Sequence, residues 1–344
     1  MNVLVTGGCG YIGLWLCKKL REVGHEVHVV DKGFFPAGVA ALEDFAPGCG
    51  LMRADIRDLA PSTFAGIDAV CHLGGLSNDP TADFAPEANY AINAEATAHL
   101  AAQAKAAGVR RFTFASSASV YGGMHESAIT ETGAINPVSH YARSKVDGEE
   151  ALLALADANF EPVILRQATV SGWSPRMRWD LVVNTMVACA MRDGVIRVHA
   201  GGEAMRPLID VQDCAEVHVR FLALGEAGVY NVAKRRKGHG DAAPLIEGYT
   251  IACLALYIVK LLQDAGHDVR VEGDWSRGEG RSYDLDCTKM REALGWEPMR
   301  GVAEMVADLL PHTDGIGDAQ GSNIGWMTAL SHGGALTDEF GGVL

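Results

Sequence analysis

A short apolar run, Val3-Leu4-Val5, leads directly into Thr6-Gly7-Gly8-Cys9-Gly10-Tyr11-Ile12-Gly13. Beyond it, Ile12, Leu16, Leu20 and Val23 fall on one helical face, and Gly24 stops the helix. This strand, turn and helix constrains the chain more than any other feature. Gly7 permits a tight turn, Gly10 lets backbone approach a pyrophosphate, and Gly13 allows the helix to pack closely. The helix start offers free N–H groups and a positive dipole end to an anion. Glycines alone would mean little, because turns use them everywhere. The strand before them and the helix after them make the spacing a dinucleotide-binding signal.

The alternation continues. Val27-His28-Val29-Val30, residues 69–73, Phe112-Thr113-Phe114-Ala115 and Val163-Ile164-Leu165 read as buried parallel strands. Ala-rich helical patterns occupy residues 87–107 and 140–158. Later helices are expected near 178–193, 210–223, 250–265 and 301–310. The expected fold class is α/β, a Rossmann-type doubly wound parallel sheet with a smaller C-terminal α/β substrate lobe. Residues 1–166 are assigned to the dinucleotide domain, 167–311 mainly to the substrate lobe and 312–344 to a Gly-rich tail. Residues 234–248, basic and then Gly- and Ala-rich, read as a surface loop.

Composition excludes several classes. A net charge of −14, from 43 acids against 29 Lys and Arg, argues against a nucleic-acid partner, which would need a basic face. A few arginines in one cleft can still attract an anion. The eight cysteines form no CxxC pair and no His cluster accompanies them, so no metal is expected and all read as reduced thiols. The longest apolar stretch, residues 251–259, is too short for a bilayer, and no signal-peptide pattern precedes the first strand. The expectation is a cytoplasmic protein without a membrane partner.

Asp31 ends the second strand 18 residues after Gly13. A carboxylate there accepts both ribose hydroxyls of an adenosine and repels a 2′-phosphate, favouring NAD over NADP, although the neighbouring cation Lys32 pulls the other way. After the third strand, Asp55 can meet the adenine amino group with Ile56 against the ring, while Arg57 and Asp58 read as surface charge. Tyr141-Ala142-Arg143-Ser144-Lys145 opens a helix and places Tyr141 and Lys145 on one face. A lysine ammonium one turn away stabilises phenolate and makes tyrosine a usable base. Ser117, in Ser116-Ser117-Ala118-Ser119-Val120-Tyr121-Gly122, follows a strand at the carboxyl edge and can bond a substrate hydroxyl. Ser116 and Ser119 compete for that role.

Together, the TGGxGYIG loop, Asp31, the SSASVYG segment and the YxxxK helix resemble the extended short-chain dehydrogenase/reductase superfamily. More narrowly, they resemble its NAD-dependent nucleotide-sugar epimerases and dehydratases, over residues 1 to about 310. The resemblance implies Tyr141 as acid or base at a sugar hydroxyl, Lys145 on the nicotinamide ribose and Ser117 in support. It implies Gly7, Gly10, Tyr11, Ile12 and Gly13, with Asp31, Lys32, Asp55 and Ile56, around NAD. Leu73, Gly74 and Gly75 match the loop after the fourth strand, where the family usually has alanine at Gly74. Asn93 matches a residue that supports the active-site loops. Ser77 and Thr169 fall on the substrate side, and Asn184, Arg206 and Arg281 match positions that contact a nucleotide diphosphate. Arginine forks suit those oxygens independently. A homodimer through the helices at 87–107 and 140–158 is also implied.

Dehydratases and decarboxylases of this family carry an acid just after the Ser117 position, where this chain has Ala118 and Ser119. That leaves 4-epimerisation of a nucleotide-diphosphate sugar first and net 4-dehydrogenation second. The segment Ser174-Pro175-Arg176-Met177-Arg178-Trp179-Asp180 resembles a subgroup that includes a GDP-heptose 4-dehydrogenase. Ser174 and Pro175 also read as a helix start, with Arg176 and Arg178 in its solvated first turn. A non-catalytic NAD-binding regulator is the rival of another class, disfavoured by the intact Ser117, Tyr141 and Lys145.

Overall fold

The computed structural model describes residues 1–123, 128–237, 245–246, 248–273 and 282–316. Its centre is a seven-stranded, wholly parallel sheet. Six strands are β1 (Asn2–Thr6), β2 (Glu26–Asp31), β3 (Gly50–Arg53), β4 (Ala69–His72), β5 (Arg111–Ser117) and β6 (Glu161–Gln167). The seventh, Gly228–Val232, pairs with β6. From one edge the order is Gly228–Val232, β6, β5, β4, β1, β2, β3. The chain therefore leaves β1 toward β2 and β3, then returns to build outward through β4, β5 and β6. That reversal opens a crevice beyond the carboxyl ends of β1 and β4, where open α/β sheets take their ligands.

Both sheet faces are buried, which explains the apolar runs. Val3 and Val5 join the core beneath the first helix, α1 (Tyr11–Glu22), while Leu4 joins the core on the opposite face. Val23 departs from its expected place: it ends α1 and is exposed. The pattern at 87–107 becomes Pro86–Tyr90, a π-turn at Ala91–Glu95 and Ala96–Ala106. The helix at 140–158 becomes His140–Leu155.

The lobes interleave more than a boundary at residue 166 implies. Helix Val211–Leu224 packs against α1 and leads to the seventh strand. The smaller lobe is built around helices Val182–Asp193, Ile251–Asp264 and Val302–Leu309, which share an apolar core with Ile196, Val198 and Leu208. No helix is long and apolar enough to cross a membrane among the described residues. All eight cysteines are free thiols. Within the expected loop at 234–248, residues 238–244 and 247 lie outside the described residues, as does the tail from 317.

A buried ionic group joins three sheet elements. Arg166 on β6 forms a fork with Glu149 at 2.7 and 3.1 Å, and Glu149 also accepts from Ser116 on β5. Arg166 donates to the Tyr121 hydroxyl, which donates to Asn231 on the seventh strand. Removing either charge would leave the other stranded, at a cost of about 3–5 kcal/mol.

Two buried histidines make stability depend on pH. His72 is held by Thr6 and Thr97, and His218 by Thr113 and Gln167. Burial lowers both to about 3, with the Lys145 charge adding to the effect on His72. Between an unfolded value near ~6.5 and that folded value, the unfolded chain binds protons that the native chain does not. Stability is therefore complete above that range and is lost as pH falls through it. The melting temperature should drop between pH 7.5 and 5, and His218→Gln should lessen the drop; a flat profile in the wild type would contradict this.

Candidate active site

The glycine loop forms the floor of the crevice. Gly7 has φ +74°, and a Cβ on it would stand 2.8 Å from the Gly74 nitrogen. Gly13 is tighter still: a Cβ there would lie 2.1 Å from the Gly7 carbonyl oxygen. Gly10 is the N-cap of α1 and has no side chain to occupy the free N–H groups of the first turn. Those donors face the crevice with Leu73 and Gly75 of the β4 loop.

At its outer end the crevice is lined by Asp31, Lys32, Phe34, Asp55, Ile56 and Gly74. Asp31 accepts from the backbone of Cys9 at 3.0 Å and Gly33 at 2.8 Å, and burial raises its pKa against these bonds. Lys32 bonds Asp55 at 2.9 Å rather than standing free for a phosphate. Arg57, expected as surface charge, forks onto the same carboxylate at 2.7 and 3.0 Å. Burial pushes Asp55 up, but the bonds from Arg57 and Lys32 outweigh it and hold the carboxyl below its usual range.

Further in, a cavity of about 320 Å³ is lined by Ser116, Ser117, Ser119 and Tyr141, and Lys145 lines the adjoining part of the crevice. Ser117 ends β5, Ser139 caps the helix His140–Leu155 by accepting from Ala142 N, and Tyr141 sits in its first turn. Lys145 follows one turn later, 5.7 Å from the Tyr141 ring centroid, donating to the Ala115 carbonyl at 3.0 Å. Burial raises Tyr141 to about 12, while Arg178 and a hydrogen bond with Ser117 oppose it. Burial also lowers Lys145 to about 8, against the Glu149 charge. Ser119 lines the cavity and donates to Ser117 at 2.9 Å; Ser116 is engaged by Glu149.

Ser77, Thr169 and Arg206 line the same cavity, and Arg206 lies 5.7 Å from the Tyr283 ring. Two expected contacts do not. Asn184 is fully buried and committed to Gly172 N, the Tyr11 hydroxyl and the Arg178 carbonyl, so it positions these groups instead of meeting a diphosphate. Asn93 is buried behind the β4 loop and clasps both backbone groups of Leu76 at 2.8 Å. It shapes the cofactor loop without lining the crevice. Arg281 lies outside the described residues.

The helix start expected at Ser174 is also displaced. The helix begins at Val182; Ser174 is buried and donates to the Tyr11 carbonyl at 2.8 Å. Arg176 and Arg178 therefore lie in an irregular segment that lines the crevice. Arg178 bonds Ser77 at 3.0 Å and Asp180 at 2.7 Å. Asp79 was also missed: it lines the cavity and accepts from Ser139 at 2.6 Å. In sequence, Asn78-Asp79-Pro80 is no more than a helix start, with Asn78 capping the helix Asp79–Phe84, and carries no signal for this role.

A glycine-floored crevice at the switch point, continuous with a Ser-Tyr-Lys group, defines the class of a nicotinamide-dinucleotide enzyme of the short-chain dehydrogenase type. Comparison makes this specific. The sequence profile of the NAD dependent epimerase/dehydratase family matches residues 3–233. The chain is 32% identical over 343 residues to a UDP-glucose 4-epimerase of Yersinia pestis, covering 90% of this chain and 96% of that one. It is 27% identical to UDP-glucuronic acid decarboxylase 2 of Arabidopsis thaliana, covering 90% and 68%. The solved UDP-glucose 4-epimerase of Bifidobacterium longum, in complex with NAD+ and UDP, superposes with a TM-score of 0.73 at 25% identity, covering 97% and 100%. This chain belongs to the NAD-dependent epimerase/dehydratase family and is an NAD-dependent nucleotide-sugar enzyme.

The floor gives the sharpest steric expectation. Gly13→Ala sets a methyl against backbone that no side-chain rotation can relieve, so α1 must shift. NAD binding measured by calorimetry should fall by at least about tenfold, with a lower melting temperature; retention of both would contradict the geometry.

Proposed function

We propose that the protein is an NAD-dependent 4-epimerase of a nucleotide-diphosphate sugar. The observation that carries this reading is that Tyr141 lines both the cavity that holds Ser117 and the adjoining crevice that holds Lys145, with no acid next to Ser117 in the chain. Ala118 is fully buried, and Ser119 is spent on Ser117. Asp79, the carboxylate among the described lining residues, is bound by Ser139. The 4-epimerase relative supports the same choice.

Bound NAD supplies the acceptor, and then the donor, of hydride at the sugar carbon. The protein's task is proton transfer and orientation. Tyr141 removes the proton from the sugar hydroxyl and later returns it, while Ser117 bonds that hydroxyl and holds its oxygen in line. The guanidinium of Arg178 favours phenolate at Tyr141 against the stronger effect of burial, and the ammonium of Lys145, 5.7 Å from the ring, acts in the same direction. Thr169, Ser77 and Arg206 line the cavity on the sugar side. Asp31 is assigned to the adenosine ribose.

The test combines purified protein and NAD with a panel of UDP-, GDP- and CDP-sugars, following nicotinamide absorbance and product mass together. Unchanged mass with little lasting reduced cofactor is expected. A product lighter by two hydrogens with stoichiometric reduced cofactor would replace the reading with a dehydrogenase. Tyr141→Phe should lower turnover about 10²- to 10⁴-fold while NAD binding persists; binding without turnover in the wild type across the panel would favour a regulator.

Helices Pro86–Tyr90 and His140–Leu155 carry the exposed side chains Tyr90 and Leu153, which support the expected homodimer. Light scattering should give twice the chain mass, and Leu153→Glu should shift it toward the monomer. A monomeric wild type would end this assignment.

A further inference from the structure

The segment 172–180 of the smaller lobe is fastened across the cofactor crevice at both ends. On one side, the Tyr11 hydroxyl donates to the Gly172 carbonyl at 2.5 Å and the Trp15 indole to the Trp173 carbonyl at 2.8 Å. The Ser174 hydroxyl donates to the Tyr11 carbonyl at 2.8 Å. All three contacts are to the first half of α1. On the other side, Arg178 donates to Ser77 and Asn78 donates to Asp180 at 3.0 Å, both reaching the β4 loop. Between these ends lies Arg176, only 4% exposed although arginine normally keeps its head in water. Its guanidinium carbon is 3.6 Å from the Phe35 ring centroid. Beside its stem, Gly38 approaches so closely that a Cβ would stand 3.2 Å from Arg176 Cγ and 2.0 Å from the Cys9 oxygen. Arg176 lines the same cavity as Gly7, Gly10, Tyr11, Ile12 and Gly13.

We propose that Arg176 is a cofactor-binding residue contributed by the substrate lobe, placed beside the glycine loop to grip the NAD diphosphate. The first turn of α1 offers the diphosphate N–H donors, and a planar guanidinium offers a fork beside them. Stacking on Phe35 fixes the plane of that fork. An anion there also answers an electrostatic need. Burial, and then the neighbouring Arg178, lower Arg176 to about 9 against the opposing charges of Asp180 and Asp31, and a diphosphate would add anionic charge to theirs. The consequence is retention: a cofactor held by both lobes stays through the two hydride transfers of an epimerisation. The inference rests on the family's use of NAD and not on the sugar or the 4-epimerase outcome, so its failure leaves that reading standing.

Calorimetry on protein stripped of nucleotide, with ADP-ribose, adenosine and UDP as separate probes, tests it. Arg176→Gln should weaken ADP-ribose about 10- to 100-fold and leave adenosine within about twofold. Arg176→Lys should recover part of the loss, and the purified Gln variant should carry less NAD by its absorbance ratio. Unchanged ADP-ribose affinity, or an equal loss for adenosine, would overturn the assignment. So would a loss for UDP with ADP-ribose intact, which would move Arg176 to the substrate's diphosphate. Should the variants not fold, phenylglyoxal labelling of the wild type decides it. Arg176 should be protected by ADP-ribose and not by adenosine, and equal labelling under both would refute the proposal.

Discussion

A parallel α/β sheet that binds a dinucleotide must bring its first helix back over the turn that produced it, close enough for backbone N–H groups to reach a phosphate. Here that return leaves no room for a methyl group: the Gly7 oxygen occupies the place where a Gly13 Cβ would project. The β4 loop crowds Gly7 in turn, through Gly74. This pair of close approaches sets where α1 starts, and α1 sets much else. Its Tyr11 and Trp15 side chains and the Tyr11 carbonyl are the points to which the smaller lobe is fastened. The position of the substrate cavity relative to the cofactor crevice thus follows from a contact between glycines.

The same economy governs the supporting polar groups. Asn184 and Asn93 each spend their hydrogen-bonding capacity on backbone and neighbouring side chains, one at the lobe junction and one behind the β4 loop. A buried amide with every site committed orders a loop firmly, because breaking one bond leaves a polar group unsatisfied. The π-turn at Ala91–Glu95, which carries Asn93, is a further departure from regular helix of the kind found at functional sites.

At the reacting centre, burial and charge act in opposite directions. Burial raises Tyr141 to about 12 even against the charge of Arg178, and the Lys145 ammonium, 5.7 Å from its ring, adds positive field on the side of the phenolate. The Glu149 carboxylate, one turn beyond Lys145, favours the charged lysine and is itself held by Arg166. The ionic group in the sheet and the chemistry at its edge are therefore linked through two turns of one helix.

The chain's periodicities and local spacings determined the parallel sheet, the glycine floor, Asp31 at the strand end and the Tyr141–Lys145 pair on one helical face. Each depends on residues a few positions apart, where backbone geometry leaves little choice. Tertiary structure decided what depends on residues far apart in the chain. The seventh strand comes from beyond residue 166 because the edge of β6 is open to it. Arg57, read as free surface charge, is instead tied together with Lys32 to the Asp55 carboxylate. Ser174, Arg176 and Arg178 carry the spacing of a capped helix start. Their backbone runs irregularly up to the helix at Val182, and Tyr11 and Trp15, more than 150 residues earlier, bind the Gly172 and Trp173 carbonyls and take up the Ser174 hydroxyl that would otherwise have capped a helix. A local rule governs when no distant partner offers more, and across this crevice the distant partners did.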